Sequence, residues 1–587
     1  MRILTFSCGT HDASAAVFDD YELIAAVQEE RLRREKGWGG GIPWLAIDEV
    51  LRIAGWSRTD VDVIAQTRGT YPTQYLRFSL PRDLYYTARR WTGRERTRRE
   101  INVLHEQTGE SDSYALFHSD RFLAENAFRA DTRVYFADHH QAHALTALFH
   151  TDWDEALLYT ADGVGDNVSY SVRSLNAGRL ECHLGGENML AARHLRRNSL
   201  AAAYASTTAA CGFRMFRHEG KLTGLSARGE PKLADAFARH LWLDKNGLIE
   251  SDFKNWHALD RTVRDICRGH DRETIAASIQ KVTEELISGA IRVWLVRTGR
   301  RRLGLAGGLF ANVRLNRLLA ETLPIDEIFV FPAMGDDGLS AGAALCFLLE
   351  RDGLADWLRK RRRLGDVYLA QDFDQRIDAC LAAGPGIRVL TGDPAEVATG
   401  LICAGKVGAI YVGRMEFGPR ALGARSIIAS PSDAAINDNL NKRLERSEFM
   451  PFAPYVLEED AERVFEITTI NRYAARFMTI TCAVRPEWRE RIPAVVHIDG
   501  TARPQIIHDE ANPLFSAILR RFRDATGLPV LVNTSFNVHE EPIVNRPQEC
   551  LKALMDGRVD FVVTKHATYV YGSCHHVYAG GCQKPSI

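Results

Sequence analysis

The chain has 587 residues, too many for one hydrophobic core, because such cores stop growing at roughly 250–300 residues. Basic and acidic residues number 74 and 75, and this balance excludes a general attraction for nucleic acid or for an acidic membrane surface. The 45% hydrophobic and 25% charged fractions are those of an ordinary globular protein and exclude disorder as the theme.

Residues 3–6, 14–18 and 23–27 read as strands, and the amphipathic run 43–54, stopped by Gly55, reads as a helix. The first strand soon meets His11 and Asp12, so it lacks the apolar core of a secretory signal, and a cytoplasmic location is expected. No apolar run approaches the roughly 20 residues that cross a bilayer, so no membrane partner is expected. Strands recur at 156–160, 303–306 and 328–331, with a long helical pattern over 274–298 among them, which predicts an α/β layer architecture. The charged interval 359–374 precedes further strands at 408–412, 529–532 and 561–563, placing two domains at 1–365 and 366–587. No repeat of fixed period is visible. The arginine-rich segment 89–99 reads as a solvated helix face, with a site for an anionic part of a ligand as the alternative. The 11 cysteines contain no C-x-x-C pair and read as buried small hydrophobes, while Cys574, His575, His576 and Cys582 near the end fit no standard zinc spacing.

Chemistry concentrates in a few motifs. His139 and His143 stand at i and i+4, which on a helix places both rings on one face with Cβ atoms about 5–6 Å apart, a spacing suited to two ligands of one metal. Asp162 opens Asp162-Gly163-Val164-Gly165-Asp166 after a strand, and Asp336 likewise follows one. Two imidazoles and two carboxylates suit a divalent cation such as iron, manganese or zinc. Glycine-containing loops at 162–165, 307–312 and 335–338 let backbone N–H groups approach phosphate, with ordinary tight turns as the alternative. Further on, Gly413-Arg414-Met415-Glu416-Phe417-Gly418-Pro419-Arg420-Ala421-Leu422-Gly423-Ala424-Arg425 follows a strand. Lys442, Arg443 and Arg446, then Arg503, then Asn533-Thr534-Ser535-Phe536-Asn537 come after it. Planar guanidinium forks among glycines favour a polyanionic small ligand.

These motifs resemble the NodU/CmcH carbamoyltransferase family, to which nodulation, cephamycin and tobramycin carbamoyltransferases belong. The resemblance is carried by Gly9-Thr10-His11-Asp12-Ala13-Ser14-Ala15, Glu29-Glu30-Arg31 with Lys36, His139-His140-x-x-His143, Glu219-Gly220-Lys221-Leu222-Thr223-Gly224-Leu225 and Asp336-x-Gly338. In the second domain it rests on the Gly413–Gly423 run, Pro451-Phe452-Ala453-Pro454, Asp499-Gly500-Thr501-Ala502-Arg503-Pro504-Gln505 and the Asn533–Asn537 run. It implies an actin-like (Kae-type) first domain of two subdomains and a YrdC-like α/β second domain. An iron-type metal (Fe2+, or Mn2+ or Zn2+) would be held by His139, His143, Asp162 and Asp336, and His11, Asp12 and Lys36 would line the acceptor and carbamoyl site.

Glu219, Lys221, Gly307, Gly308 and Asn312 would hold carbamoyladenylate. Arg420, Arg425, Lys442, Arg443, Arg446, Arg503, Asn533 and Ser535 would bind ATP, with Mg2+, and carbamoyl phosphate. Several relatives carry a lysine and a following arginine where this chain has Leu444 and Met450, so that work passes to Lys442, Arg443 or Arg446. The implied activity is ATP-dependent transfer of a carbamoyl group to a hydroxyl of a small-molecule, natural-product or sugar-like, acceptor. His11 would act as base, with Asp12 orienting it or itself accepting the proton. The alternatives are a threonylcarbamoyl-type tRNA-modifying transferase, disfavoured by the neutral charge, and a non-enzymatic actin-like nucleotide-binding scaffold. The oligomeric state, a homodimer included, is left open.

Overall fold

The computed structural model describes residues 1–78, 98–186, 198–446 and 450–572. Most of the arginine-rich segment and the whole Cys574–Cys582 set lie outside these residues. The chain divides into two compact units, Met1–Arg33 with Gly37–Leu364 and Gly365–Ile587 with Arg34–Lys36. Among the described residues no helix is long and apolar enough to cross a membrane.

The first unit contains the same five-stranded sheet twice. In the first copy β1 (Arg2–Ser7) lies antiparallel to β2 (Ser14–Asp19), and β2 to β3 (Glu22–Gln28). On its other side β1 runs parallel to β4 (Val63–Thr67), which runs parallel to β5 (Arg133–Ala137). In the second copy β6 (Ala156–Gly165), β7 (Val168–Asn176) and β8 (Arg179–Leu184) form the antiparallel half. β9 (Arg302–Ala306) and β10 (Glu327–Val330) continue in parallel from β6. Both sheets therefore read 3-2-1-4-5 in their own strand order, the duplicated α/β arrangement of an actin-like region. Ile3 to Ser7 of β1 are all buried, as expected of a strand covered on both faces.

Helices follow corresponding strands. α1 (Trp44–Ala54) ends at Gly55 in a left-handed cap, as its sequence pattern requires. α2 (His139–Phe149) follows β5, α3 (Arg272–Thr298) precedes β9, and α4 (Leu339–Arg359) follows β10, so α2 and α4 are topological counterparts. The expected glycine loop at 162–165 is instead the end of β6. The register against β7 shifts between Ala161 and Gly165, and the turn itself is Asp166–Asn167, both with positive φ. Such an irregularity re-aims a side chain beside a site, here Asp162.

The second unit is built on a mixed eight-stranded sheet. Its strands are β11 (Ile387–Leu390), β12 (Gly408–Tyr411), β13 (Arg425–Ala429), β14 (Ala453–Leu457), β15 (Gln505–Ile507), β16 (Val530–Ser535), β17 (Phe561–Val563) and β18 (Thr568–Tyr571). They lie in the order β11-β18-β17-β12-β13-β16-β14-β15. α5 (Ala435–Arg443) and α6 (Pro513–Thr526) belong to this unit; Asn512 caps α6 at its start and Gly527 at its end.

Candidate active site

In the first unit, four segments at corresponding positions of the two sheets carry the candidate residues. His139 and His143 come from α2 and Asp336 from the turn before α4. Asp162 comes from the β6–β7 hairpin, and His11 with Asp12 from the matching β1–β2 connection. His139 Nε2 and His143 Nε2 lie 3.2 and 3.3 Å from Asp162 Oδ2 and 3.7 and 3.8 Å from Asp336 Oδ1. One ligand atom from each residue lies within 4.8 Å of the other three. Asp336 Oδ1 is buried with no hydrogen-bond partner, a costly state for a carboxylate oxygen unless a cation completes it. The donor set, its spacing and this orphaned oxygen fit a divalent cation.

The electrostatics agree. Burial pulls His139 down, yet its hydrogen bond with Asp162 and the charge of Asp336 leave its pKa raised to about 9. Burial also acts against Asp162, but the bonds from His139 and His143 hold it well below the usual carboxylate range. Asp337 behaves oppositely: burial and the charges of Asp12, Glu30 and Asp336 push it well above that range, and it accepts a bond from Gln28 Nε2 at 2.9 Å. Asp336 is thus the carboxylate of this pair that faces the histidines.

A buried polar network positions the candidate ligands. Asp138 caps α2 by accepting from the Gln141 N–H at 2.5 Å, and Arg173 donates to the same oxygen at 3.3 Å. Asp166 Oδ2 accepts the His139 N–H at 2.9 Å and Arg68 Nη1 at 2.7 Å. Gly165 leaves room for the His139 ring, into which a Cβ at that position would run. His140 turns the other way, bonding Thr160 Oγ1 and the Val168 carbonyl at 2.7 and 2.9 Å. Burial and the neighbouring His139 and His143 charges keep it neutral, a structural histidine between two ligand candidates.

His11 Nδ1 lies 2.9 Å from Asp12 Oδ2. Their loop is braced by bonds from the Ala13 N–H to the Trp38 carbonyl, 2.9 Å, and from the Gly40 N–H to the Gly9 carbonyl, 2.6 Å. A Cβ on Gly9 would lie 3.0 Å from Asp336 Oδ2, so the loop rests against the cluster. Burial lowers the His11 pKa, but Asp12, Asp336 and Asp162 together raise it to about 10. Lys36 is exposed and groups with the second unit. Glu219 opens the short helix Glu219–Leu225 and accepts the Phe216 N–H at 2.7 Å, while Lys221 is buried on that helix. Gly307 has φ 103° and sits where a Cβ would strike the Ala161 carbonyl; a Cβ on Gly308 would lie 3.1 Å from Asp162 Oδ1. Asn312 caps the helix Val313–Thr322 and donates to Gln280 Oε1 at 2.8 Å, so its side chain is engaged in the fold.

In the second unit one arginine-rich motif separates into distinct structural roles. Glu416, buried, accepts the N–H groups of Leu422, Ala424 and Arg425 at 2.8, 2.7 and 3.1 Å and so wraps the loop that presents Arg420. Arg420 Nε has no hydrogen-bond partner, and burial lowers its pKa to about 10. Arg425 departs from the expected ligand-binding role. It is fully buried over the Tyr411 ring at 3.7 Å, and its terminal nitrogens donate to the carbonyls of Val412, Ala424 and Gly413 at 2.8, 2.9 and 3.0 Å.

Arg446 donates to Thr534 Oγ1, to Ser535 Oγ and carbonyl, and to Asn537 Oδ1 and carbonyl, all within 3.0 Å, pinning the Asn533–Asn537 run. Asn533 Nδ2 donates to Gln505 Oε1 at 3.0 Å, and Gln505 Nε2 to the Leu422 carbonyl at 2.7 Å, which ties Asn533 to the Arg420 loop. Arg503 lies just before β15 and is half-buried. Arg443 pairs with Asp560 at 2.9 Å, and Lys442 is exposed on α5.

Residues 2–345 match the family described as Carbamoyltransferase N-terminus and residues 399–570 the one described as Carbamoyltransferase C-terminus. The chain belongs to the carbamoyltransferase family. It is 32% identical to nodulation protein NolNO of Sinorhizobium fredii over 94% of this chain and 78% of that one. It is 33% identical to nodulation protein NolO of Bradyrhizobium diazoefficiens over 73% and 77%. Among solved structures, full-length HypF in the phosphate- and nucleotide-bound form aligns with TM-score 0.32 and 13% identity over 60% of this chain and 56% of that one. As a carbamoyltransferase the protein is an enzyme carrying carbamoyl groups, which sets aside the scaffold alternative. Asp138, Asp166, Glu416 and Gln505 stand inside or beside the motifs of the sequence but, like Arg68, carry no role there; each acts by holding another residue, and only Asp138, an aspartate at a helix start, has a local signal for it.

Proposed function

We propose that the protein is an ATP-dependent O-carbamoyltransferase working in two steps. In the YrdC-like second unit, water hydrolyses carbamoyl phosphate to carbamate and inorganic phosphate, and a carbamate oxygen then attacks the α-phosphorus of ATP, giving carbamoyladenylate with pyrophosphate as the leaving group. Arg420 and Arg503, with Asn533 and Ser535 nearby, are the groups suited to offset the phosphoryl charge. In the first unit a hydroxyl oxygen of a small molecule attacks the carbamoyl carbon and AMP leaves. The observation that carries this reading is the four-ligand cluster with its orphaned Asp336 oxygen beside the His11–Asp12 pair.

A cation held by His139, His143, Asp162 and Asp336 would supply Lewis-acid polarisation and charge neutralisation. Asp12 orients His11, and the pair receives the proton of the acceptor hydroxyl, on the imidazole once it is neutral or on the carboxylate. The Asp336 and Asp162 charges that raise the His11 pKa are the ones a bound cation offsets. Glu219, joined to His11 through Phe216, and Lys221 on the same helix are assigned to the adenylate.

The test is incubation with ATP, magnesium and labelled carbamoyl phosphate without acceptor, beside an Arg503→Ala control. Carbamoyladenylate and pyrophosphate formed by the wild type alone would support the reading; ATP bound without turnover would reject it.

A further inference from the structure

The first unit holds a cavity that carbamoyl transfer leaves unused. It measures about 410 Å³, the size of a small-molecule pocket, and lies where β5, α2, α4 and the turn at Ser111–Ser113 meet. Tyr114, Tyr135 and Phe136 give it aromatic walls. Tyr114 is 43% exposed, a large ring surface left in water. Its hydroxyl accepts the Phe136 N–H at 3.4 Å, and its ring stands edge-on to Phe136 with centroids 5.5 Å apart.

Charge narrows the occupant. Arg68 is paired with Asp166 at 2.7 Å and donates from Nε to Ser113 Oγ at 2.8 Å, and Glu350 is paired with Arg133 at 2.8 Å. Asp112 accepts the Tyr114 N–H at 2.8 Å and keeps its negative charge. An anion therefore meets cations already paired and a carboxylate, which disfavours phosphates and carboxylic acids. Asp112 is exposed, so water screens its pull on a cation. Neutral hydrogen bonding remains. Gln141 lines the cavity half-buried, and its side-chain amide makes no hydrogen bond with the described residues, which leaves a donor beside an acceptor. Such an amide pairs bidentately with a planar ring that carries a donor next to an acceptor, as adenine does at its amino group and N7, while aromatic walls pack on the ring faces.

We propose that this cavity is a second small-molecule site, taking an uncharged heteroaromatic base of the aminopurine class, and that its occupancy is coupled to the His139–His143–Asp162–Asp336 cluster. The link is Arg68, which lines the cavity and donates to the same Asp166 Oδ2 that accepts the His139 N–H at 2.9 Å. A base packed beside Arg68 holds that arrangement and with it the position of His139, so base and cation each favour the other. None of the residues assigned to carbamoyl transfer takes part, and the inference stands apart from that reaction.

The test is calorimetric titration of the full chain with 9-methyladenine and with 9-methylpurine, which lacks the amino donor. The methyladenine is expected to bind about tenfold more weakly to Gln141→Ala than to the wild type, and the methylpurine equally weakly to both. Tyr114→Phe keeps the ring and should bind within about twofold of the wild type, whereas Tyr114→Ala should lose about fivefold. Neither Gln141→Ala nor Tyr114→Phe removes a buried contact of the core, so both variants are expected to melt with the wild type. In chelator competition, saturating 9-methyladenine should tighten zinc binding about fivefold in the wild type and leave it unchanged in Gln141→Ala. No binding of 9-methyladenine, binding indifferent to Gln141, tighter binding of benzylammonium, or zinc affinity unmoved by the base in the wild type would overturn the proposal.

Discussion

The two units assemble polar chemistry in opposite ways. The first gathers its residues from four separated segments, one at each of the corresponding connections of a duplicated fold, and leaves a buried carboxylate oxygen without a partner. The second keeps its residues within a few runs of sequence, and most of the arginines there are already engaged by the protein. Arg425 is consumed by backbone carbonyls, Arg446 by the Asn533–Asn537 run and Arg443 by Asp560, while Arg420 Nε has no partner. A dispersed set of residues that converges and still leaves a buried carboxylate oxygen unpaired is stronger testimony for a site than convergence alone, which buried struts such as Arg68–Asp166 also show. A local cluster of one residue type mixes ligand-binding groups with struts.

Breaking the first unit's cluster has the largest expected effect. His143→Ala is expected to lose bound metal, read by elemental analysis, and to reduce transfer to acceptor by at least about 100-fold without unfolding the chain. Next comes the contrast within the arginine motif. Arg425→Ala strands several buried carbonyls and is expected to destabilise the second unit by about 3–4 kcal/mol in denaturant melts. Arg420→Ala is expected to change stability by less than about 1 kcal/mol while removing adenylate formation.

Asp166→Asn weakens the hold on the His139 backbone and on Arg68; metal affinity measured by chelator competition is expected to fall about 10–100-fold. The smallest effect concerns His11, whose pKa is raised from 6.5 to about 10. A raised pKa contributes stability that is full below 6.5 and is lost as pH rises through about 10. The difference in melting temperature between chelator-treated wild type and Asp12→Asn is therefore expected to be greatest near pH 6.5 and to shrink steadily toward pH 10.

Much of this arrangement is legible in the sequence where burial and spacing act locally. The i and i+4 histidines predict one face of one helix, and they share it in α2. Strands β1, β2 and β3 follow their apolar runs, and α1 ends at Gly55. The duplication escapes a search for repeats because strand order and direction recur while residues and hairpin register do not: Gly9–Asp12 in one copy corresponds to the Asp162–Asn167 region in the other. The pattern around Asp162 predicts a glycine loop because a bulged strand end and a loop look alike when glycines alternate with polar residues. Arg425 and Arg420 are indistinguishable by type and neighbours; only the register of β13 against β12 places Arg425 opposite Tyr411. Glu416 and Asp166 act through backbone N–H groups, which any sequence offers.

The account's central claim is that activation and transfer reside in different units, and the direct test assays both half-reactions in two variants. His143→Ala should still release pyrophosphate from ATP and carbamoyl phosphate but leave the acceptor unmodified, and Arg420→Ala should transfer from supplied carbamoyladenylate but form none. Loss of pyrophosphate release in His143→Ala with its ATP binding intact, or unimpaired carbamoyladenylate formation by Arg420→Ala, would contradict it.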